Sequence, residues 1–369
     1  MPQHTDDRQS DAAFRVAFSH VTGIGPARLN ALARFFEDLE EAWSADRSGL
    51  REAGLDQRTI EELETTRATL DPHEAYLRMQ EAGISALTPD EPEYPRRLKE
   101  IADPPPLLYV RGTLLDRDEW SLAIVGTRRP TPYGIQVTRT LTAELANAGL
   151  TIVSGLARGV DGIAHETTLE QGGRTVAVVA SGLDRVYPPE HKGLASGILD
   201  SGGALLSEYP LGTRPDARYF PRRNRIIAGI TLGTLVTEAG EKSGTWHTVT
   251  SALDQGREVF AVPGPITSEQ STGANNVIKR GMGKLVTVAE DVLEELNVGP
   301  IERQAQLAEQ LPEDPTEAAL LERIGHEPIH VDELSRLLQQ PVQETAAAMA
   351  TLELKGLIHQ LGPMTYARR

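Results

Sequence analysis

Thr151-Ile-Val-Ser-Gly-Leu-Ala-Arg-Gly-Val-Asp161 passes from a short β-branched run, through a glycine turn, into what reads as a helix start. Val and Ile favour extended backbone, and glycine permits the tight reversal that follows. The run does not alternate polar with apolar residues, so a strand here is expected to be covered on both faces. The same pattern recurs on either side. Comparable runs fall at Leu122–Val125, Thr175–Ala180, Ala204–Ser207, Thr234–Thr237, Glu258–Val262 and Leu285–Val288. Helical stretches at roughly Tyr133–Ala148, Val160–Gln171, Arg222–Ala228 and Thr245–Gln255 separate them. This alternation predicts an α/β fold, an extended Rossmann-like, doubly wound parallel sheet.

Ligands of such sheets collect at the carboxyl ends of the strands. Four of those ends carry glycine turns: Gly126-Thr127-Arg128, Gly155 to Gly159, Ser181-Gly182, and Glu238-Ala-Gly leading to Ser243-Gly244-Thr245. Glycine lets backbone amides approach an oxygen, and a following helix start adds partial positive charge. Arg128 and Lys192 would add two full charges to the same rim. A phosphate-binding rim is the expectation, although tight strand-to-helix turns need glycine in any case. Neither GxGxxG nor GxxxxGK[ST] occurs, which argues against a dinucleotide or a hydrolysed triphosphate.

Charge sharpens this reading. The chain has 369 residues and a formal net charge of −16, yet Arg214-Pro-Asp-Ala-Arg-Tyr-Phe-Pro-Arg-Arg-Asn-Arg225 holds five arginines against one aspartate. From Leu107 to Val288 the balance is 19 basic to 17 acidic residues; the remainder has 18 basic and 36 acidic. Guanidinium groups grip phosphates and stack on planar rings, so arginines beside Tyr219 and Phe220 suit a groove for single-stranded nucleic acid. The plainer alternative is a helix face paired with local carboxylates.

The flanks read differently. Val21-Thr-Gly-Ile-Gly-Pro-Ala-Arg-Leu29 joins two helical patterns, either as a helix–hairpin–helix facing phosphate or as a simple glycine turn. Pro104-Pro-Pro106 marks a boundary. After a Gln- and Glu-rich stretch, Leu320, Leu321 and Ile324, then Val331, then Val342–Leu354 suggest three helices, with a wing hairpin from Leu357 to Tyr366. That is a winged-helix pattern, though its presumed recognition helix lacks basic residues.

Several chemistries are disfavoured. There is no cysteine, so disulfides and thiolate chemistry are out, and no apolar run of membrane-spanning length or signal core occurs. A cytoplasmic protein is expected. Glu238, Asp161 and Asp184, with His165, His191 and His247, are the available acids, bases and proton carriers, but no HxxxH pair or GxSxG elbow organises them. No catalytic residue, metal or cofactor is expected.

The middle segment resembles the DNA-processing protein A (DprA/Smf) family. The resemblance rests on Ile124-Val-Gly-Thr-Arg128, Ser154 to His165, Ser181 to Pro188, Leu206-Ser-Glu-Tyr-Pro210, Phe220 to Gly229, Gly256 to Gly264 and Gly273 to Gly281. It implies a non-enzymatic binder that shields incoming single strands in natural transformation or repair. It also implies loading of RecA over single-strand-binding protein, and a homodimer formed through the Rossmann-like domain. The DNA contacts carried over are Arg128, Lys192 and Phe220 to Arg225. The expected site is therefore Arg128, Lys192, Arg222, Arg223, Asn224 and Arg225, with Gly126, Thr127, Gly155, Gly159, Gly182, Ser243, Gly244 and Thr245. Phe220 would either stack on a base or anchor the core. About five phosphate contacts give a salt slope near −3.5.

The expected domains are helical residues 1–91, a Rossmann-like 92–296, a linker 297–315 and a winged helix 316–369. His191, Trp246-His247 and Met282 depart from the family pattern. Trp246 would alter packing at the rim or offer a stacking surface. Two other functions stay open. One is a nucleoside-monophosphate phosphoribohydrolase-like enzyme using Glu238, although the glutamate that pattern requires is replaced around Thr248. The other is a duplex-DNA regulator acting through the winged helix.

Overall fold

The structure, a computed structural model, describes residues 3–298, 320, 323–324, 329–338, 340–354, 358–362 and 364–368. The chain divides into two compact units, Met1–Val298 and Gly299–Arg369.

The first unit opens with helices α1 (Gln3–Ser19), α2 (Pro26–Phe35), α3 (Leu39–Ser44), α4 (Arg47–Glu52), α5 (Gln57–Arg67) and α6 (Pro72–Glu81). Four of them start the same way: Asp38, Asp46, Asp56 and Asp71 each accept a hydrogen bond from the amide three residues on. A carboxylate there satisfies an orphan donor and complements the helix dipole, so part of this segment's acidity is structural. The Gly23 turn is locked by Arg28, which donates to Gly23 O and Thr59 Oγ1 (both 2.8 Å) and pairs with Asp56. This favours the simple-turn reading over a phosphate-facing hairpin.

Nine strands form one sheet: β1 (Ile84–Leu87), β2 (Leu108–Gly112), β3 (Ser121–Val125), β4 (Thr151–Ser154), β5 (Thr175–Val178), β6 (Ala204–Ser207), β7 (Gly233–Val236), β8 (Glu258–Ala261) and β9 (Lys284–Leu285). Their order is β1-β2-β6-β5-β4-β3-β7-β8-β9. From β6 to β9 all pairings are parallel, with Ala123 level with both Val153 and Thr234. The β1–β2 and β2–β6 pairings are antiparallel. This antiparallel extension was not foreseen, because neither strand is followed by a crossover helix.

Helices α7 (Arg96–Lys99), α8 (Pro132–Asn147), α9 (Val160–Glu170), α10 (Lys192–Asp200), α11 (Tyr219–Gly229), α12 (Thr245–Asp254), α13 (Thr272–Lys279) and α14 (Glu290–Glu295) complete the unit. Strands β3 to β7 are buried along their whole length, as their lack of alternation required. On one face Val16, Met79 and Ile84 share a core with Tyr109, Leu156 and Leu205. Ser19 and Tyr109 also share a 2.6 Å hydrogen bond across it. The expected boundary at 91/92 is therefore not a packing boundary: β1 precedes it, and α1 and α6 lie on the sheet's own core.

The second unit has β10 (Ile329–His330), α15 (Val331–Leu338), α16 (Val342–Leu354), β11 (Ile358–Gly362) and β12 (Thr365–Arg368). Leu320, Ile324, Leu334, Met349, Leu352 and Tyr366 form its core. The strands run β10-β12-β11, giving the wing. Leu321, Leu357, residues 299–315 of the expected linker and 316–319 of the expected winged helix lie outside the described residues. Helix α16 carries no Lys or Arg, which weighs against duplex reading through it.

Because α6 and the sheet share one core, Met79→Ala is expected to cost about 2–5 kcal/mol. Hydrogen exchange should show the amides of Leu63 and Ile124 losing protection together; loss at Leu63 alone would mean that the helices unfold separately.

Candidate nucleic-acid interface

The chain leaves β3 towards β4 on one side, and later returns to β7 on the other. The strand order thus reverses between β3 and β7, where an open α/β sheet forms its crevice. Glu238, at the end of β7, closes the back of that crevice. It is buried; its backbone oxygen accepts the Thr127 amide at 2.7 Å. Its carboxylate accepts from Thr131 N at 2.8 Å and Thr131 Oγ1 at 2.6 Å, just where Thr131 caps α8. Both carboxylate oxygens are thus engaged behind the loop by Thr131.

Arg128 stands in front of this clasp. Gly159 has φ +78°, and a Cβ there would lie 2.4 Å from Thr127 O and 2.7 Å from the Arg128 carbonyl carbon. Only glycine allows the β4–α9 loop to press so closely on the β3 loop. The Arg128 side chain is exposed, with its guanidinium 5.0 Å from the Phe220 ring centroid. Phe220 is half-buried beneath it and also touched by Tyr187, at 6.0 Å between rings. It therefore serves as a platform for Arg128, neither fully in the core nor bare.

The β4–α9 loop is held from three sides. Leu156 adopts φ +55° while fully buried. Its carbonyl accepts a 2.9 Å bond from His191 Nδ1. Asp161 Oδ2 accepts the amides of Gly155 (3.1 Å) and Ala157 (3.4 Å). Arg223 Nη1 donates to Gly155 O at 2.6 Å and to Val178 O. Burial pulls the Arg223 guanidinium down to about 10, against the opposing pull of Asp161. Burial likewise pushes the Asp161 carboxyl up, while Arg223 and the two amides oppose that shift.

Five expectations change here. Arg223 is 4% exposed and spent on backbone carbonyls. Arg225 is paired with Glu208 and Asp103 and donates to Asp103 O at 2.7 Å. Neither is available as a free phosphate grip. The Gly155 amide is committed to Asp161, and the Gly182 amide to Thr213 O at 3.0 Å. Gly126 is wedged between Val160 and the Glu238 carbonyl, so its role is packing. Local sequence could not reveal these, because each partner lies far along the chain.

The other expected residues keep an open aspect. Lys192 begins α10 and is exposed; Arg222 is exposed on α11; among the described residues neither they nor Arg128 form an ion pair. Arg128 and Lys192 both follow carboxyl ends of strands. A cleft of about 1140 Å³ opens at Arg128, lined by Thr127, Asn224, Ser243, Gly244 and Thr245 among others; Lys192 and Arg222 do not line it. Sequence reasoning missed Gln270, which accepts from Thr127 Oγ1 at 3.3 Å, and Thr248 on the same wall. Trp246 packs against the core with Arg280 5.6 Å above its ring, so packing is its role. Among the described residues no group of three metal-ligating side chains occurs.

His165 is sealed inside. Thr175 donates to Ile152 O at 2.7 Å, so His165 Nδ1–H donates to Thr175 Oγ1 at 2.6 Å, and Nε2 is left without a partner. Burial, then the neighbouring His191 and Arg223, pull its pKa down to about 3. It stays neutral, unsuited to proton shuttling.

Comparison with known proteins gives a consistent result. Residues 85–297 match the family model of DNA recombination-mediator protein A, and residues 302–362 that of the DprA winged helix domain. The chain is similar to protein Smf of Synechocystis sp., at 36% identity over 98% of this chain and 99% of that protein. A solved structure of DNA processing protein A from Streptococcus pneumoniae superposes with TM-score 0.64 and 31% identity, covering 77% of this chain and 97% of that one. A second, from Helicobacter pylori and concerned with its single-stranded DNA binding mode, has TM-score 0.52 and 31% identity over 58% and 95%.

Two outcomes follow from this geometry. Gly159→Ala should cost about 1–3 kcal/mol by urea titration, because a left-handed Ala would also strike the Arg128 backbone. For His165 the folded pKa lies below the unfolded 6.5, so the unfolded chain binds the extra proton. Stability should fall as pH drops from about 6.5 towards 3, by up to about 1.4 kcal/mol per pH unit from this group. His165→Gln should lose that share of the fall in paired urea titrations; an identical pH profile would place a charged His165 in the fold.

Proposed function

Since this chain belongs to the DNA recombination-mediator protein A family, we propose that it binds single-stranded DNA along the carboxyl-end loops of its sheet, as a recombination mediator. The observation that carries this reading is the set of exposed cations, Arg128, Lys192 and Arg222, without carboxylate partners in a chain of net charge −16. The likeness to the Helicobacter pylori protein supports the choice of a single strand.

In this reading the three cations follow the backbone, while Thr127, Asn224, Ser243, Gly244 and Thr245 add neutral contacts from the cleft. Phosphate contacts carry no sequence information, so the strand is held whatever its bases. The protein acts by binding and performs no chemistry on the DNA. It works in the cytoplasm as a homodimer through the Rossmann-like domain, shielding the strand and loading RecA onto it against single-strand-binding protein. That service suits transformation or repair. Among the described residues no helix is long and apolar enough to cross a membrane.

With three free cations rather than five, log K should fall with log salt at a slope near −2, at about 0.7 per phosphate. Arg128→Ala with Lys192→Ala should flatten the slope by about 1.4 and remove most binding. A salt titration against a homopolymeric oligonucleotide, with mass followed by light scattering, reads both. An unchanged slope would take these residues out of the site.

A further inference from the structure

The two edges of the nine-stranded sheet are finished differently. A strand edge offers a row of unpaired amides and carbonyls, and folds guard it with charges, proline, bulges or a covering segment. At one end β9 is two residues long, and its Lys284 pairs with Glu258 and Glu295. At the other end β1, Ile84-Ser85-Ala86-Leu87, holds no charge and no proline, and its register with β2 runs without a bulge.

Which groups this edge presents follows from the ladder. Leu206 of β6 turns towards β5, since its carbonyl accepts the Val179 amide at 2.8 Å. Facing alternates along a strand, so Leu205 and Ser207 turn to β2, where they meet Arg111 and Tyr109. Leu108 and Val110 therefore turn to β1, opposite Leu87 and Ser85. Ile84 and Ala86 are left facing away from the sheet. Among the described residues no strand lies beyond them, and no group bonds the Ala86 amide or carbonyl. The next outward amide, Thr88 N, is taken by Glu91 Oε2 at 2.5 Å, which ends the free stretch. Half-buried Ala86 lies at the margin of the core around Tyr109, and half-buried Leu87 at the margin of the core on the opposite face. A further strand would extend both.

Charge selects what can lie there. Residues 74–93 carry Glu74, Glu81, Asp90, Glu91 and Glu93, all exposed, against Arg78 alone; Arg111 on β2 adds one half-buried cation. A second β1 laid antiparallel would bring Glu81 of each copy against Asp90 and Glu91 of the other, acid on acid. The chain's own residues 299–315, with four acidic residues and one basic, are disfavoured in the same way. A basic segment meets the charge, and an extended one meets the open ladder. We infer that β1 is a docking edge for an extended, basic segment of a partner protein, which joins the sheet as a tenth strand. This edge lies away from the rim cations, so the inference is independent of the function proposed above.

Two capped synthetic peptides test this on the full chain: Lys-Val-Thr-Val-Thr-Lys, and the same sequence with Glu for each Lys. Hydrogen exchange should show the Ala86 amide unprotected in the free protein, while the Ser85 and Leu87 amides are slowed by β2. The lysine peptide at saturation should slow Ala86 exchange at least about tenfold, and at low salt it should bind at least about tenfold tighter than the glutamate peptide. Ala86→Pro removes only an outward donor, which sheet edges tolerate, and should weaken the lysine peptide about tenfold while leaving oligonucleotide binding unchanged. If that variant folds poorly, Glu81→Gln with Glu93→Gln, both exposed and without ion pairs, should weaken the peptide about threefold. Slow Ala86 exchange in the free chain, or protection that grows with protein concentration, would mean that the edge is already covered or pairs with a second copy, and overturns the inference. So would a lysine peptide that binds no better than its glutamate counterpart, or binding that the substitutions leave untouched.

Discussion

One buried guanidinium ties together the loops on which the candidate site is built. Arg223, carried by α11, bonds the carbonyls at the ends of β4 and β5 and stands beside Asp161, which in turn holds the β4–α9 loop by two amides. Neither charge is comfortable away from water, and each is tolerated because the other is near and the remaining valences meet backbone groups. Removing either partner would leave an uncompensated charge in the interior. Rigidity passes from there to the front: the β4–α9 loop presses through Gly159 on the backbone of Arg128, and α11 supplies Phe220 beneath its side chain. The exposed cation is placed by a cation that never meets solvent.

The arginine-rich segment is thus divided by depth. Arg225 and Arg223 turn inward and hold α11 to the fold; Arg222 stays outside. Composition alone counts all of them alike. What an arginine does depends on the carboxylates and carbonyls brought to it from elsewhere in the chain, here Asp103, Glu208, Gly155 and Val178.

This explains what could be read from the sequence. The central strands were legible because residues covered on both faces leave uninterrupted β-branched runs, as at Thr151–Ser154, and the glycine turns at their carboxyl ends marked where a ligand would sit. Arg128 was legible because it lies in the glycine turn at the end of β3, and Lys192 because it follows the Tyr187-Pro188 segment of the family pattern. The antiparallel β1 and β2 were not, since an edge strand without a crossover helix has no periodic partner in sequence. Nor were the fates of the Gly155 and Gly182 amides, consumed by Asp161 and Thr213. Gln270 and Thr248 enter the cleft only because α12 and α13 pack where they do, and no local motif announces them.

Leu156 bears on how freely this loop can drift over evolutionary time. A leucine held left-handed with no solvent exposure satisfies two demands that few side chains meet at once. Valine, isoleucine and threonine are excluded by branching, which makes that conformation genuinely unfavourable. Glycine would accept the backbone angle but would empty a place in the core shared with Tyr109 and Val179. The position is caught between backbone and core, so change here requires a second change elsewhere, and the loop's shape is conserved by physics before any partner molecule acts on it.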